Sequence, residues 1–94
     1  MENWENPSKN VLLKQIGSKI AYYRSLRGLT QIDLAVLVNV SRSTIGRIER
    51  GQYNENLSIA TLLDIANGLQ VNINSLINIP NDDIRLIKDK SNKK

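Results

Sequence analysis

Arg42, Arg47 and Arg50 are the residues of this sequence whose type and spacing best suit binding chemistry. At about 100° of rotation per residue, their side chains fall on one side of a short helix, and Ile45 and Ile48 fall on the other. An ordinary solvated helix mixes both signs of charge, whereas this outward side is cationic. Guanidinium groups on a short, well-held helix suit phosphate oxygens and the paired acceptors of guanine in the DNA major groove.

The same outward side is predicted to carry Ser43 and, at its centre, Gly46. A glycine inside a helix costs about 1 kcal/mol relative to alanine. Close approach of the helix backbone to a groove would account for Gly46, and neutral drift at a surface site would account for it equally well. Thr44 is expected towards the buried side of this helix, and Glu49 at the edge of the outward side.

Two short helices joined by a sharp turn must position these side chains. Thr30 is predicted to cap the first of them, with Asp33 completing a capping box. Asn39 lies at the turn, where asparagine tolerates the left-handed conformation better than any residue but glycine. Ser41 is predicted to cap the second helix and Gly51 to end it.

Further apolar, small and charged residues on both sides of this stretch recur at helical spacing. The pattern consists of Ile20, Arg24, Gly28-Leu29, Thr30-Gln31, Leu34-Ala35, Val40-Ser41, Ile45, Ile48, Glu49, Gly51, Leu62, Ile65-Ala66, Leu69, Val71 and Leu76. With these residues the chain resembles the lambda-repressor-like helix-turn-helix family, also called Xre-type or Cro-type regulators. It departs from the family in having Asn39 where glycine is frequent, and in a longer loop over residues 51–58 that lacks the usual proline.

The resemblance implies an all-α fold: a compact five-helix lambda-repressor-like DNA-binding domain with its motif over residues 31–50. Outside the motif, helical periodicity predicts helices over 10–27, 58–69 and 71–79, and it allows a short extra C-terminal helix within 81–90. The domain is expected to occupy residues 10–79, between a flexible N-terminal arm over 1–9 and a C-terminal extension with a basic tail over 80–94.

The charge is distributed unevenly along the chain. Residues 9–50 carry eight Lys or Arg against two acidic residues, whereas residues 51–83 carry four acidic residues and no Lys or Arg. Residues 84–94 are basic again, and the net charge is +4. This is the distribution expected of a polyanion-binding face backed by a neutral or acidic one.

The residue types that are missing narrow the function. The sequence has no cysteine and no histidine, which excludes disulfides and the common zinc sites and is compatible with a reducing cytosol. We therefore expect a cytoplasmic protein with no metal and no cofactor. The nine acidic residues are dispersed and no phosphate-cradling glycine loop is present, so we expect no enzyme and no catalytic residues. No apolar run approaches the roughly 18 residues of a transmembrane helix, so no membrane partner is expected.

The resemblance assigns DNA contacts residue by residue. It implies that Arg42, Ser43 and Arg47 read base edges from the second helix of the motif. Gln31, which opens the first helix, is expected to meet a phosphate with the help of the helix dipole. Further backbone contacts are expected from Ser41, Thr44, Arg50, Gln52, Tyr53 and Asn54.

Several of these residues have a second interpretation. Ser41 suits a cap better than a contact, and Thr44 suits packing as well as it suits a phosphate or a thymine methyl. Gln31 and Tyr53 would also be ordinary as surface residues.

Arg24 lies on the same general face of the first helix as Ile16 and Ile20, where an unpaired charge is costly. The resemblance implies a structural ion pair with Glu49, which would tie the first helix to the end of the third. A phosphate contact is the alternative for Arg24.

Apolar residues near the C-terminus have little core left to join within a monomer. We expect them to form part of a two-fold dimer interface made by Leu76, Ile77, Ile84 and Ile87. Trp4, in the arm, is expected as a surface aromatic or packed on the partner subunit, with insertion beside DNA as the alternative.

These features predict a sequence-specific double-stranded DNA-binding transcriptional regulator. It would be a homodimer that inserts the helix over residues 41–50 into the major groove of a pseudo-palindromic operator. Occlusion of RNA polymerase would give repression, and a favourable contact with it activation. The alternative is an antitoxin or protein-interaction module of the same fold that binds a protein partner such as a toxin. The arginines of the outward side argue against that alternative.

Overall fold

The computed structural model describes residues 4–52 and 57–77, and within these ranges it contains five helices and no strand. This confirms the predicted all-α, five-helix fold. The extra C-terminal helix and the C-terminal tail lie outside the described residues. The helices are α1 (Lys9–Leu26), α2 (Gln31–Val38), α3 (Arg42–Glu49), α4 (Ile59–Leu69) and α5 (Asn74–Ile77). No helix in the described part of the chain is both long and apolar enough to cross a membrane.

Hydroxyl side chains begin the first four helices. The side-chain oxygen of each cap accepts a hydrogen bond from the backbone N–H three residues later, which satisfies one of the unpaired donors of the first turn. The caps are Ser8, Thr30, Ser41 and Ser58, with N–O distances of 3.0 to 3.2 Å. α1 begins directly after its cap Ser8. It covers Lys9–Leu26, so it starts and ends one residue earlier than the predicted helix over 10–27.

The capping box of α2 is complete. Asp33 N donates to Thr30 Oγ1 at 3.0 Å, and Thr30 N donates to Asp33 Oδ2 at 2.9 Å. The hydrogen bonds from the backbone and side chain of Thr30 lower the pKa of Asp33 below its ordinary value of 3.8. The predicted box is confirmed, and its acidic member works as an ion at neutral pH.

This carboxylate gives acid stability a predictable sign. A pKa that is lower in the folded state contributes stability that is fully present above the unfolded value and is lost as the pH falls through the folded one. We expect wild type to melt at a higher temperature than Asp33→Ala at neutral pH, and the gap to narrow once the pH falls below 3.8. Thermal melts of both proteins across this range measure it. A gap of constant width would contradict the role of the charge.

The turn between α2 and α3 is made by Asn39 in the left-handed conformation, with φ of 61°. The reversal is closed by Val40 N, which donates to the carbonyl oxygen of Ala35 at 3.0 Å. Gln70 ends α4 in the same way, with φ of 60°. Asparagine at the first turn was expected, whereas glutamine at the second carries no sequence signal for this conformation.

The core is aliphatic and joins all five helices. Its buried members are Ile16, Ile20, Leu34, Ala35, Ile45, Ile48, Leu62, Ile65, Ala66, Leu69 and Leu76. Leu76 is completely buried by its own chain, so its assignment to a dimer interface is wrong: no side-chain surface remains for a partner. Ile77 is partly buried against the same core, and Ile84 and Ile87 lie outside the described residues.

α5 begins at Asn74, three residues later than the predicted helix over 71–79, and residues 78 and 79 lie outside the described residues. Asn72 Oδ1 accepts a hydrogen bond from Asn74 N at 2.8 Å. This bond makes a turn of the chain before the helix, where the sequence pattern had placed helix. Trp4, which precedes α1, is 82% exposed to solvent.

Candidate nucleic-acid interface

α3 is held in the domain by one side and is open on the other. Ile45 and Ile48 are 0% and 2% exposed, and they fix the helix to the core. Arg42, Ser43 and Arg47 are all exposed on the remaining surface. The structure thus places the three predicted base readers on one accessible helix whose backbone is rigidly anchored.

The N-terminus of α3 carries a cluster of three hydroxyl groups. Ser41 Oγ lies 2.8 Å from Thr44 Oγ1 and 3.1 Å from Ser43 Oγ, and it accepts the Thr44 N–H as a cap. Ser41 is therefore a cap, as its second interpretation had it. The same hydroxyl also lies beside backbone N–H groups that favour an anion at a helix N-terminus.

Gln31, the predicted phosphate contact at the start of α2, is bonded within the protein. Its Nε2 donates to Glu49 Oε1 at 2.9 Å. This bond crosses from the first turn of α2 to the last turn of α3, so it fixes the two helices of the motif relative to each other. The Asp33 N–H is bonded to the Thr30 cap, and the other backbone N–H groups of the first turn of α2 have no acceptor within the helix, as at any helix start.

The ion pair that the resemblance implies is present and is bidentate. Arg24 Nε lies 2.6 Å from Glu49 Oε2, and Arg24 Nη2 lies 3.1 Å from Glu49 Oε1. Arg24 Nη1 also donates to the carbonyl oxygen of Leu29 at 2.8 Å. Since Glu49 accepts from Gln31 as well, one carboxylate connects the end of α1, the start of α2 and the end of α3.

Gly46 is buried rather than exposed, so the prediction that it lies open at the centre of the outward side is wrong. Rotation about the helix axis gives the direction of its Cα correctly. Two side chains lie over that position: a Cβ atom at Gly46 would be 3.2 Å from Arg50 Nη1 and 3.7 Å from Gln31 Oε1. No signal in the sequence showed that side chains from two places would cover this glycine.

The end of α3 carries a further cation. Arg50 is exposed, and its Nε donates to Gln52 Oε1 at 2.9 Å. Gly51 between them ends the helix with φ of 71°, which lets the chain turn so that Gln52 meets Arg50. The other two predicted backbone contacts, Tyr53 and Asn54, lie outside the described residues.

An open cavity of about 350 Å³ joins the two helices of the motif on this side of the molecule. Thr30 and Gln31 from the start of α2 and Arg42 from the start of α3 all line it. The predicted phosphate contact and one predicted base reader thus face the same opening.

α4 has no Lys or Arg, and Asp64 is its one acidic residue.

Two helices at a sharp turn, with the second held by apolar residues and exposing cationic ones, define a helix-turn-helix. Residues 20–76 match the helix-turn-helix family, and the chain belongs to that family. The resemblance drawn from the sequence is confirmed at this level.

The chain is also similar to two proteins whose names describe regulators. An HTH-type transcriptional regulator of Methanocaldococcus jannaschii is 51% identical over 43 residues, which are 46% of this chain and 65% of that protein. The immunity repressor protein of Bacillus phage phi105 is 39% identical over 62 residues, which are 66% of this chain and 42% of that protein. The chain therefore matches less than two thirds of the length of either relative.

A solved structure shows the fold in a DNA complex. The restriction-modification controller protein C.Esp1396I, a tetramer in complex with its natural 35 base-pair operator, is 39% identical to this chain. The two structures superpose with a TM-score of 0.58 over 65% of this chain and 78% of that one.

Proposed function

We propose that this protein is a sequence-specific double-stranded DNA-binding transcriptional regulator that places α3 in the major groove. The observation that carries the proposal is the exposure of Arg42, Ser43 and Arg47 on a helix anchored by two buried isoleucines. A major groove about 12 Å wide admits an α-helix, and arginine pairs bidentately with the O6 and N7 atoms of guanine. Sequence reading needs this combination of a fixed backbone and accessible donors.

Phosphate contacts would orient the helix in the groove. The start of α2 and Arg42 line one opening, and Arg50 lies at the other end of α3. Backbone N–H groups at the start of α2 and the guanidinium of Arg50 would bind phosphates on either side of the groove. Such contacts set register and carry no sequence information by themselves.

We further propose a homodimer on a pseudo-palindromic operator, with half-sites about one helical turn apart. Ile59 and Leu63, one turn apart on α4, are 66% and 47% exposed. They replace Leu76 beside Ile77 as candidates for the dimer surface, a role that the sequence had not indicated for either of them. Sedimentation at tens of micromolar tests this. A monomer both alone and on the selected DNA would rule out the dimer.

Selection from random duplexes tests the function itself. The full chain is incubated with duplexes of random sequence, and the bound fraction is sequenced after several rounds. A regulator of this kind should enrich a two-fold site. Absence of any enrichment would overturn the proposed function.

A protein partner is the second candidate. The observation in its favour is that α2 exposes Ile32, Val36 and Leu37 at 60%, 74% and 57%, which is unusual for one short helix. The classes of protein partner suggested by the sequence are a toxin and RNA polymerase. If selection enriches no DNA site, binding of a protein partner becomes the better supported function. Val36→Glu should then abolish binding of that partner while leaving α3 unchanged.

Base reading and phosphate positioning should be separable by mutation. Arg47→Ala is expected to weaken binding to the selected site by about 1–3 kcal/mol and to relax preference at one base pair. Gln31→Ala is expected to weaken binding to matched and scrambled duplexes alike, because α2 loses its fixed position beside α3. Titration of both variants on both duplexes, below their melting transitions, measures this. Equal losses for the two variants on every duplex would refute the division.

A further inference from the structure

Gly46 is a buried position in the middle of a cationic surface. Two side chains lie over it: the amide of Gln31, which comes from α2, and the guanidinium of Arg50, which folds back along α3 by one turn. A Cβ atom at Gly46 would be 3.2 Å from Arg50 Nη1, closer than ordinary packing allows. An alanine here would therefore require the guanidinium of Arg50 to shift by a few tenths of an ångström, and a larger side chain would require it to move further.

Both covering side chains are held at a second point. Arg50 Nε donates to Gln52 Oε1 at 2.9 Å, and Gln31 Nε2 donates to Glu49 Oε1 at 2.9 Å. A guanidinium has five N–H donors, so the bond to Gln52 leaves donor capacity for a ligand. With the backbone of Gly46 beneath it and Gln52 beside it, the charge of Arg50 has a defined place on the exposed surface.

We propose that Gly46 is a positioning residue for DNA binding, which acts by fixing the guanidinium of Arg50 where it pairs with a phosphate. The proposal rests on the proposed function. It explains why a poor helix former occupies the centre of an eight-residue helix, where alanine would be intrinsically better. If helix stability alone determined the residue at this position, alanine would be favoured over glycine.

Substitution at this position therefore separates stability from binding. The atom nearest to a new Cβ is the far end of a flexible arginine side chain, which moves aside at little cost. The helix itself gains from losing the glycine. The fold of Gly46→Ala is thus retained or strengthened, while the guanidinium shifts by a few tenths of an ångström. Gly46→Leu, which fills the space over the helix backbone, displaces both Arg50 and Gln31.

The experiment compares wild type, Gly46→Ala and Gly46→Leu as full chains. Thermal melts report stability, and fluorescence anisotropy on the selected duplex over a salt series reports affinity. We expect Gly46→Ala to melt no lower than wild type and to bind with an affinity between those of wild type and Gly46→Leu. Gly46→Leu should lose about tenfold in affinity, the loss of roughly one charge-assisted hydrogen bond. The slope of log affinity against log salt should fall by about one, as expected for one lost phosphate contact.

Gly68→Ala is the matched control. Gly68 is also inside a helix, and a Cβ atom there would lie 3.1 Å from Val38 Cγ1, an equally tight contact with a side chain. It lies on α4, away from the exposed side of α3, so affinity and salt slope should not change. The double variant Gly46→Leu, Arg50→Ala closes a cycle. Because both changes act on Arg50, its loss of affinity should be clearly smaller than the sum of the two single losses, with displacement of Gln31 accounting for any loss beyond that of Arg50→Ala alone.

Two outcomes overturn the inference while leaving the proposed function intact. One is a Gly46→Leu protein that binds with wild-type affinity and salt slope. The other is an affinity loss that adds fully to that of Arg50→Ala, which would show that Gly46 does not act through Arg50. A wild-type chain that selects no DNA site is a different result: it overturns the proposed function, and this inference with it.

Discussion

Arg24→Ala is expected to destabilise the domain by about 3 kcal/mol, the lower end of the cost of removing one partner from a buried ion pair. The side chains of Arg24 and Glu49 are 17% and 6% exposed, so the carboxylate left behind is poorly solvated. Within the described residues it keeps the hydrogen bond that Gln31 Nε2 donates at 2.9 Å. Urea denaturation of wild type and variant measures the difference in the free energy of unfolding.

Arg27→Ala is the matched control, because it removes the same charge from the C-cap position immediately after the same helix. Arg27 donates to the backbone carbonyl oxygens of Leu69 and Gln70 at 2.8 and 3.1 Å. Those oxygens are neutral, so their loss of a partner is expected to cost only about 1 kcal/mol. Equal destabilisation by Arg24→Ala and Arg27→Ala would contradict the special role of the Glu49 pair.

A second variant identifies the stranded charge as the cause. Glu49→Gln in the Arg24→Ala background removes the uncompensated carboxylate and keeps a hydrogen-bonding group of the same shape. This double variant is expected to recover part of the lost stability. If it is less stable than Arg24→Ala alone, the cost lies in lost packing of the arginine stem.

The parts of the fold that the sequence predicted correctly are made by contacts between near neighbours in the chain. The box between Thr30 and Asp33, the cap at Ser41 and the left-handed turn at Asn39 each depend on residues within about one turn. Their hydrogen bonds are determined by residue type and spacing, so they could be read without knowledge of the tertiary structure. The same is true of the exposure of Arg42 and Arg47.

The wrong predictions concern what covers a residue from elsewhere in the chain. Helical rotation placed Gly46 and Arg50 on the same side, one turn apart, and it could not show that Gln31 from α2 also lies over the glycine. Leu76 looked spare because the C-terminal part of the chain carries many apolar residues, yet α1 and α5 pack together and bury it completely. Burial depends on the packing of helices, and a single sequence contains that only indirectly.

The candidate site shows the same division. The basic surface of α3 follows from local periodicity, whereas the Glu49 carboxylate as the joint acceptor for Arg24 and Gln31 requires three helices to meet. The family resemblance implied the bond between Arg24 and Glu49, and it did not indicate the bond between Gln31 and Glu49. Gln31 consequently holds the motif together through its side chain, in addition to the phosphate contact proposed for the start of α2.

The close crossing of α1 and α3 was also absent from the sequence prediction, and it produces the second large effect. A Cβ atom at Gly17 would lie 2.6 Å from the carbonyl oxygen of Glu49 and nearer still to that of Ile48. These are backbone atoms, which cannot rotate away. Gly17→Ala therefore requires the two helices to separate, and we expect it to cost about 3 kcal/mol, at the upper end of overpacking effects. The gain in helix propensity offsets only about 1 kcal/mol.

Gly28→Ala is the control that separates space from conformation. Gly28 has φ of 73° and nothing within 4 Å of its Cβ position, so its substitution costs only about 1–2 kcal/mol of backbone strain. Gly17→Ala should be clearly worse in urea denaturation, and a stabilised Gly17→Ala would refute the close crossing. Because separation of α1 from α3 also pulls Arg24 from Glu49, the cost of Gly17→Ala combined with Arg24→Ala should fall short of the sum of the two. Full additivity would mean that the ion pair survives the separation, and that the two contacts hold the helices independently.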